Sequence, residues 1–109
     1  MKVFKNDKLI AGNVKKADGF LSRLKGLMFK SKLKEEEGLL LFPCNSVHTF
    51  FMFFPIHVIM LDRNHKIIDI NKNVFPNRII PPVEGVQYVL ELSTDRDLDL
   101  QNGDKLKFK

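Results

Sequence analysis

Cysteine and, over one long stretch, charge are what this chain lacks. Cys44 is its single cysteine, so no internal disulfide can form and stability must come from packing. Residues 38–61 contain no Lys, Arg, Asp or Glu. About twenty apolar residues would be long enough to cross a bilayer. Here Pro43, Cys44, Asn45, Ser46, His48 and Thr49 occupy the middle third and Pro55 interrupts the remainder, which argues against a spanning helix. The first sixteen residues hold early lysines but no apolar core and no small-residue cleavage site, as a secretory signal would require. The expectation is a cytoplasmic protein with no membrane partner. Repeats, low-complexity tracts and Pro/Gly/Ser linkers are also missing, which predicts one domain over residues 1–109.

What is present suits a small globule. The 109 residues are 44% hydrophobic, enough for one core without a metal. Lys and Arg outnumber Asp and Glu by 18 to 13, for a net charge of +5. That excess eases contact with an anionic partner. The densest lysines, between Lys15 and Lys34, are followed at once by Glu35, Glu36 and Glu37, so they read as a solvated face.

Hydrophobic spacing predicts the elements. Val3-Phe4 and Leu9-Ile10 flank Asn6-Asp7, a turn pair that tolerates left-handed backbone, so the chain opens with a hairpin. Asp18 is the expected N-cap of one helix whose apolar stripe is Phe20, Leu21, Leu24, Leu27 and Met28. Gly26 inside that stripe costs about 1 kcal/mol of helix propensity relative to Ala and marks a close approach of another backbone. Residues 67–71, 88–92 and 105–109 alternate apolar and polar, as half-buried strands do. Residues 56–61 are apolar on both faces apart from His57, which suits a central strand. Residues 39–42 and 47–53 are two further strand candidates, split by a turn at Pro43-Cys44-Asn45-Ser46. The predicted fold is mainly β with one short helix (α+β), as a curved antiparallel or mixed sheet or a small barrel.

Arg23 with Gly26-Leu27-Met28, then Gly38-Leu39-Leu40-Leu41-Phe42, Phe51-Met52, Pro55-Ile56, Leu61-Asp62, Val89-Leu90-Glu91-Leu92 and Gly103-Asp104 form an ordered set. In order and spacing it resembles the family known as domain of unknown function 192. The resemblance covers nearly the whole chain from Arg23 onward. Pro43-Cys44 with Val47-His48-Thr49 is similar to the pattern of short, stand-alone bacterial or archaeal members. The resemblance implies a compact, mostly β domain and carries no established activity. It also implies an acidic residue where this chain has His57.

Several residues could carry chemistry. Cys44, His48 and Met52 fall four apart, a soft ligand set if they lay on one helix face, but on a strand i and i+4 are about 13 Å apart. No metal or cofactor is expected. Cys44 and His48 could instead pair as nucleophile and base, with Asn45 or Glu91 orienting the imidazole, as in a small hydrolase or transferase. No cation lies beside Cys44 in sequence to activate it. Glu91 is expected on the polar outer face of its strand, with Arg23 or Arg78 as partners. Arg78 lies in a proline-punctuated loop, where it could hold an anionic ligand. Alternation would put Phe50, Met52 and Phe54 on one face and Phe51 and Phe53 on the other, one of them in the core. An exposed aromatic face together with the lysines would allow nucleic-acid binding, which the absence of an aromatic-Gly-aromatic signature argues against. The favoured expectation is a binding or accessory module with a cleft near residues 44–54, taking a small anionic or apolar ligand. Its candidate site is Cys44, Asn45, His48, Met52, His57, Arg78 and Glu91.

Overall fold

A computed structural model describes residues 1–109, with the side chains of Phe20, Leu21 and Leu24 outside the described residues. The protein is mainly β. Strands β3 (Asn13–Ala17), β4 (Glu37–Leu41), β6 (Ile56–Leu61), β7 (Ile67–Val74) and β9 (Tyr88–Ser93) form a five-stranded sheet in the order β3-β4-β9-β6-β7. Only the β3–β4 pair is parallel, so the sheet is mixed. Strands β1 (Val3–Lys5), β2 (Lys8–Ala11) and β10 (Leu106–Phe108) make a three-stranded sheet in the order β10-β1-β2. The two-residue strands β5 (Val47–His48) and β8 (Ile79–Ile80) pair with each other.

Turn chemistry agrees closely with the sequence. The β1–β2 hairpin turns at Asn6, which has φ 54°. Asp62 closes the β6–β7 turn by accepting the N–H groups of Asn64 and Lys66 on Oδ1, with His65 left-handed. Gly103, at φ 96°, turns the chain into β10.

The five-stranded sheet has a core on each face, and period-two alternation decides which residue joins which. Ile59, Leu61, Leu90, Leu92 and Leu40 pack toward the three-stranded sheet with Val3, Ile10 and Leu106. Val58, Met60, Val89 and Leu41 pack toward Leu27, Leu33, Met52 and Val86 on the other side. Every residue of β6 is buried, as expected of a strand covered on both faces. Each fully buried Val, Leu or Ile there contributes about 1.5–3 kcal/mol.

Three expectations need correction. No barrel closes: β2 and β3 are separated only by Gly12 yet belong to different sheets, so the ladder breaks where a barrel would have to continue. Residues 47–53 are not one strand, because pairing stops at His48 and Phe51 adopts φ 62° in the turn beyond it. The helical segment α1 (Phe20–Lys25) has Gly19, not Asp18, at its N-cap. Ser22 fills the cap: Gly19 N–H donates to its Oγ, and that hydroxyl donates to Gly19 O. The helix stops at Gly26, whose φ of 48° and ψ of −123° leave the helical region. The predicted stripe therefore continues past the helix into the loop carrying Leu27 and Met28, while its Phe20, Leu21 and Leu24 side chains lie outside the described residues.

Candidate functional site

Glu91 sits on the central strand β9 with β4 on one side and β6 on the other, opposite Leu39 and Val58. Its side chain points into the second core, opposite in sense to Leu90 and Leu92, and is 2% exposed. The alternation that suggests a solvated outer face is thus real in period but wrong in environment, since loops cover that face too. Among the described residues, the buried Glu91 Oε1 has no hydrogen-bond partner. Desolvation pushes the carboxyl up to about 8, so the group is mainly protonated at neutral pH. That is how the fold tolerates it without a cation. The three ion pairs among the described residues, Lys5–Asp104, Lys8–Asp99 and Arg96–Glu36, leave Glu91 out.

Glu91 also borders a cavity of about 420 Å³. Its walls come from the loop after α1 (Gly26, Leu27, Met28), from Leu41 on β4, from Ser46, Val47, Phe50 and Met52, and from Ile79, Ile80 and Pro82. Arg23, Lys25 and His48 supply its basic and polar lining. Gly26 is required by its backbone, whose positive φ L side chains rarely adopt; a Cβ there would make only ordinary contacts, 3.6 Å from Glu91 Oε1 and 3.8 Å from Arg23 O. The close approach of another backbone anticipated at Gly26 is not found: its neighbours are the Glu91 carboxyl and the Arg23 carbonyl of its own helix.

The alternative pairing of Cys44 with His48 has no hydrogen bond among the described residues. Cys44 Sγ donates to Ser46 O at 3.0 Å, and its own N–H donates to Gln87 O, which pins the turn after Pro43. Burial raises the thiol above its ordinary range, with a backbone hydrogen bond at Ser46 partly opposing this. A thiol held protonated is a poor nucleophile. His48 Nδ1 accepts the Phe50 N–H at 3.2 Å, which leaves Nε2 to carry the proton of the neutral ring. The ring stacks on Phe50 with centroids 5.6 Å apart. Asn45 is exposed, and its carbonyl accepts the Val83 N–H. Met52 is buried and lines the cavity.

The other two candidates lie elsewhere. His57, on β6, faces the opposite side of the sheet from Glu91, where its Nδ1 accepts Asn73 N–H at 3.2 Å. Burial lowers its pKa, opposed by a hydrogen bond to the Arg96 backbone. Arg78 is exposed, and its guanidinium donates to Asn77 O. Its backbone matters more. Arg78 N–H donates to Thr49 Oγ1 at 2.8 Å, the same hydroxyl donates to Phe75 O at 2.8 Å, and Thr49 N–H donates to Arg78 O. The Val47-His48-Thr49 pattern includes Thr49 but gives it no role. A hydroxyl amino acid at the edge of an aromatic run is the available signal, and it fastens the loop of residues 75–80 to the cavity wall.

Fold and site together define a mainly β domain with an apolar cavity ending on a protonated carboxyl. The family model described as DUF192, "Uncharacterized ACR, COG1430", matches residues 1–108, and the chain belongs to this family. A UPF0127 protein of Thermococcus gammatolerans is 35% identical over 103 residues, covering 89% of this chain and 67% of that protein. Its counterpart from Thermococcus kodakarensis is 33% identical, covering 89% of this chain and 65% of its own length. The chain thus spans about two thirds of these relatives, which are archaeal rather than bacterial. A crystal structure of a protein of unknown function from Novosphingobium aromaticivorans has the same fold, with a TM-score of 0.83 at 22% identity over 98% of this chain and 82% of that one. Several residues that carry the family resemblance, Arg23, Gly26, Leu27, Met28, Met52 and Glu91, line the cavity.

Proposed function

We propose that the chain is a binding module for a small amphipathic organic anion, held in the Glu91 cavity. The observation that carries this reading is the buried Glu91 oxygen without a partner, bordering an apolar space large enough for a small organic molecule. A hydroxyl or carbonyl on the ligand would satisfy the Glu91 carboxyl, its body would lie against Leu27, Met28, Leu41 and Met52, and its negative end would meet Arg23 and Lys25. The lining by Ser46, Val47, His48, Phe50 and Met52 supports reading this cavity as the cleft near residues 44–54, with its polar end supplied by β9. We place the module in the cytoplasm, where its single thiol stays reduced.

Calorimetric titration with 4-hydroxyphenylacetate and with phenylacetate tests the reading. Both should bind, the hydroxylated compound more tightly. Arg23→Ala should weaken both by about tenfold, the scale of a lost charge-assisted hydrogen bond. Glu91→Met should erase the advantage of the hydroxyl. Failure of both compounds to bind, or binding indifferent to Arg23→Ala, would refute the proposal.

A further inference from the structure

The residues around the cavity mouth present a second feature. Phe29, Phe50, Phe51, Phe53, Phe75 and Ile79 are exposed, Phe53 to 64% and Ile79 to 67%. Single exposed apolar residues are ordinary, but these six sit on three segments, two of them loops and one running from a loop into β8, that are tied to one another. Phe29 N–H donates to Phe51 O, and the two rings stack with centroids 5.5 Å apart. Thr49 binds the backbone of Phe75 and Arg78, and β5 pairs with β8, placing His48 beside Ile79. Phe50 and Ile79 also line the cavity, so the exposed surface is continuous with its opening.

Charge on these loops is of one sign. Residues 26–32, 49–55 and 75–80 contain Lys30, Lys32 and Arg78 and no Asp or Glu. Protruding phenylalanines flanked by cations without a compensating anion match the profile of an anionic bilayer surface, where rings enter the boundary between headgroups and acyl chains and cations meet the phosphates. A nucleic-acid platform would call for rings laid along a cationic groove. Here the rings stand on turns, with an aliphatic Ile79 among them. The expectation of no membrane partner is an argument against a spanning helix. No helix among the described residues is long and apolar enough for that. Surface adsorption is a separate matter.

We infer that the loops bearing Phe29, Phe51, Phe53 and Phe75 form a docking surface for anionic lipid bilayers. The inference stands whatever fills the cavity. It is tested by co-sedimentation of the full chain with vesicles of phosphatidylcholine alone or with about 30% phosphatidylglycerol, a membrane of physiological negative surface charge. The protein should pellet with the anionic vesicles, and raising the salt to about 0.5 M should release it. Phe53→Ser combined with Phe75→Ser should reduce binding by about tenfold or more, as should Lys30→Glu with Lys32→Glu. All four positions are exposed, so both variants should melt like the parent by circular dichroism. The inference is overturned if the chain stays in the supernatant with anionic vesicles. It is equally overturned if the phenylalanine variant, correctly folded, binds them as the parent does, or if the surface proves to be occupied by a second copy or by single-stranded oligonucleotides while vesicles are ignored.

Discussion

Replacing Glu91 with Gln removes a titratable group while keeping its shape, and the structure sets the size of the effect. The carboxyl is raised from 4.5 to about 8 in the folded protein. Between those values the folded state holds a proton that the unfolded state releases, so stability falls as pH rises. It is fully present below about pH 4.5 and lost by about pH 8. At 1.36 kcal/mol per pKa unit the loss is about 3 kcal/mol at pH 7 and about 5 kcal/mol above pH 8. The amide of the Glu91→Gln variant cannot ionise, so the variant escapes this loss. Glu37, Asp62, Asp104, His57 and His65, whose values are lowered, titrate alike in both proteins and cancel in the difference. Melting followed by circular dichroism from pH 5 to pH 9 should show a gap between variant and parent that opens by on the order of 10–20 °C toward high pH. Parallel profiles would refute the protonated, desolvated carboxyl.

Other consequences can be measured on the same scale. Gly38→Ala should cost about 1–3 kcal/mol in urea unfolding, since its Cβ would lie 2.9 Å from Leu92 Cδ2 and 3.0 Å from Glu91 O. Gly12→Ala should cost less, because the atom it meets is the tip of the exposed Glu36 side chain at 2.7 Å; equal costs would contradict this account of β4 packing on β9. Thr49→Val should destabilise by about 1–3 kcal/mol, because it strands the Arg78 N–H and Phe75 O that the hydroxyl serves. Cys44 should react with iodoacetamide more slowly in the folded protein than after unfolding at pH 8, given its raised pKa. A faster reaction in the native state would restore it as a nucleophile.

Local signals carry far in this chain. Asn6 marks a turn because its backbone chemistry acts within a few residues, and the hairpin forms where it is expected. Ile56–Leu61 reads as a central strand because both faces are apolar. Glu91 departs from its expected place for the opposite reason. Alternation says which residues share a face but not what covers that face, and the cover comes from loops distant in sequence. The same limit separates Cys44 from His48, which spacing allows to meet and local hydrogen bonds hold apart. The helix stripe misleads in length, since Gly26 ends the helix while Leu27 still reaches the core and Met28 the cavity.

The position of β9 in the sheet bears on how the chain folds as it is made. Strand β9 is the ninth of ten in sequence, yet it pairs with both β4 and β6. Until residues 88–93 leave the ribosome, those two strands expose hydrogen-bonding edges and apolar faces with no neighbour between them. Such pairing is non-local and slow, and unpaired edges invite association with other chains. Glu91, which is charged in the unfolded chain, travels on the strand that must enter this gap. Closing the sheet therefore buries a group that takes up a proton, and refolding from urea should be faster at pH 5 than at pH 9.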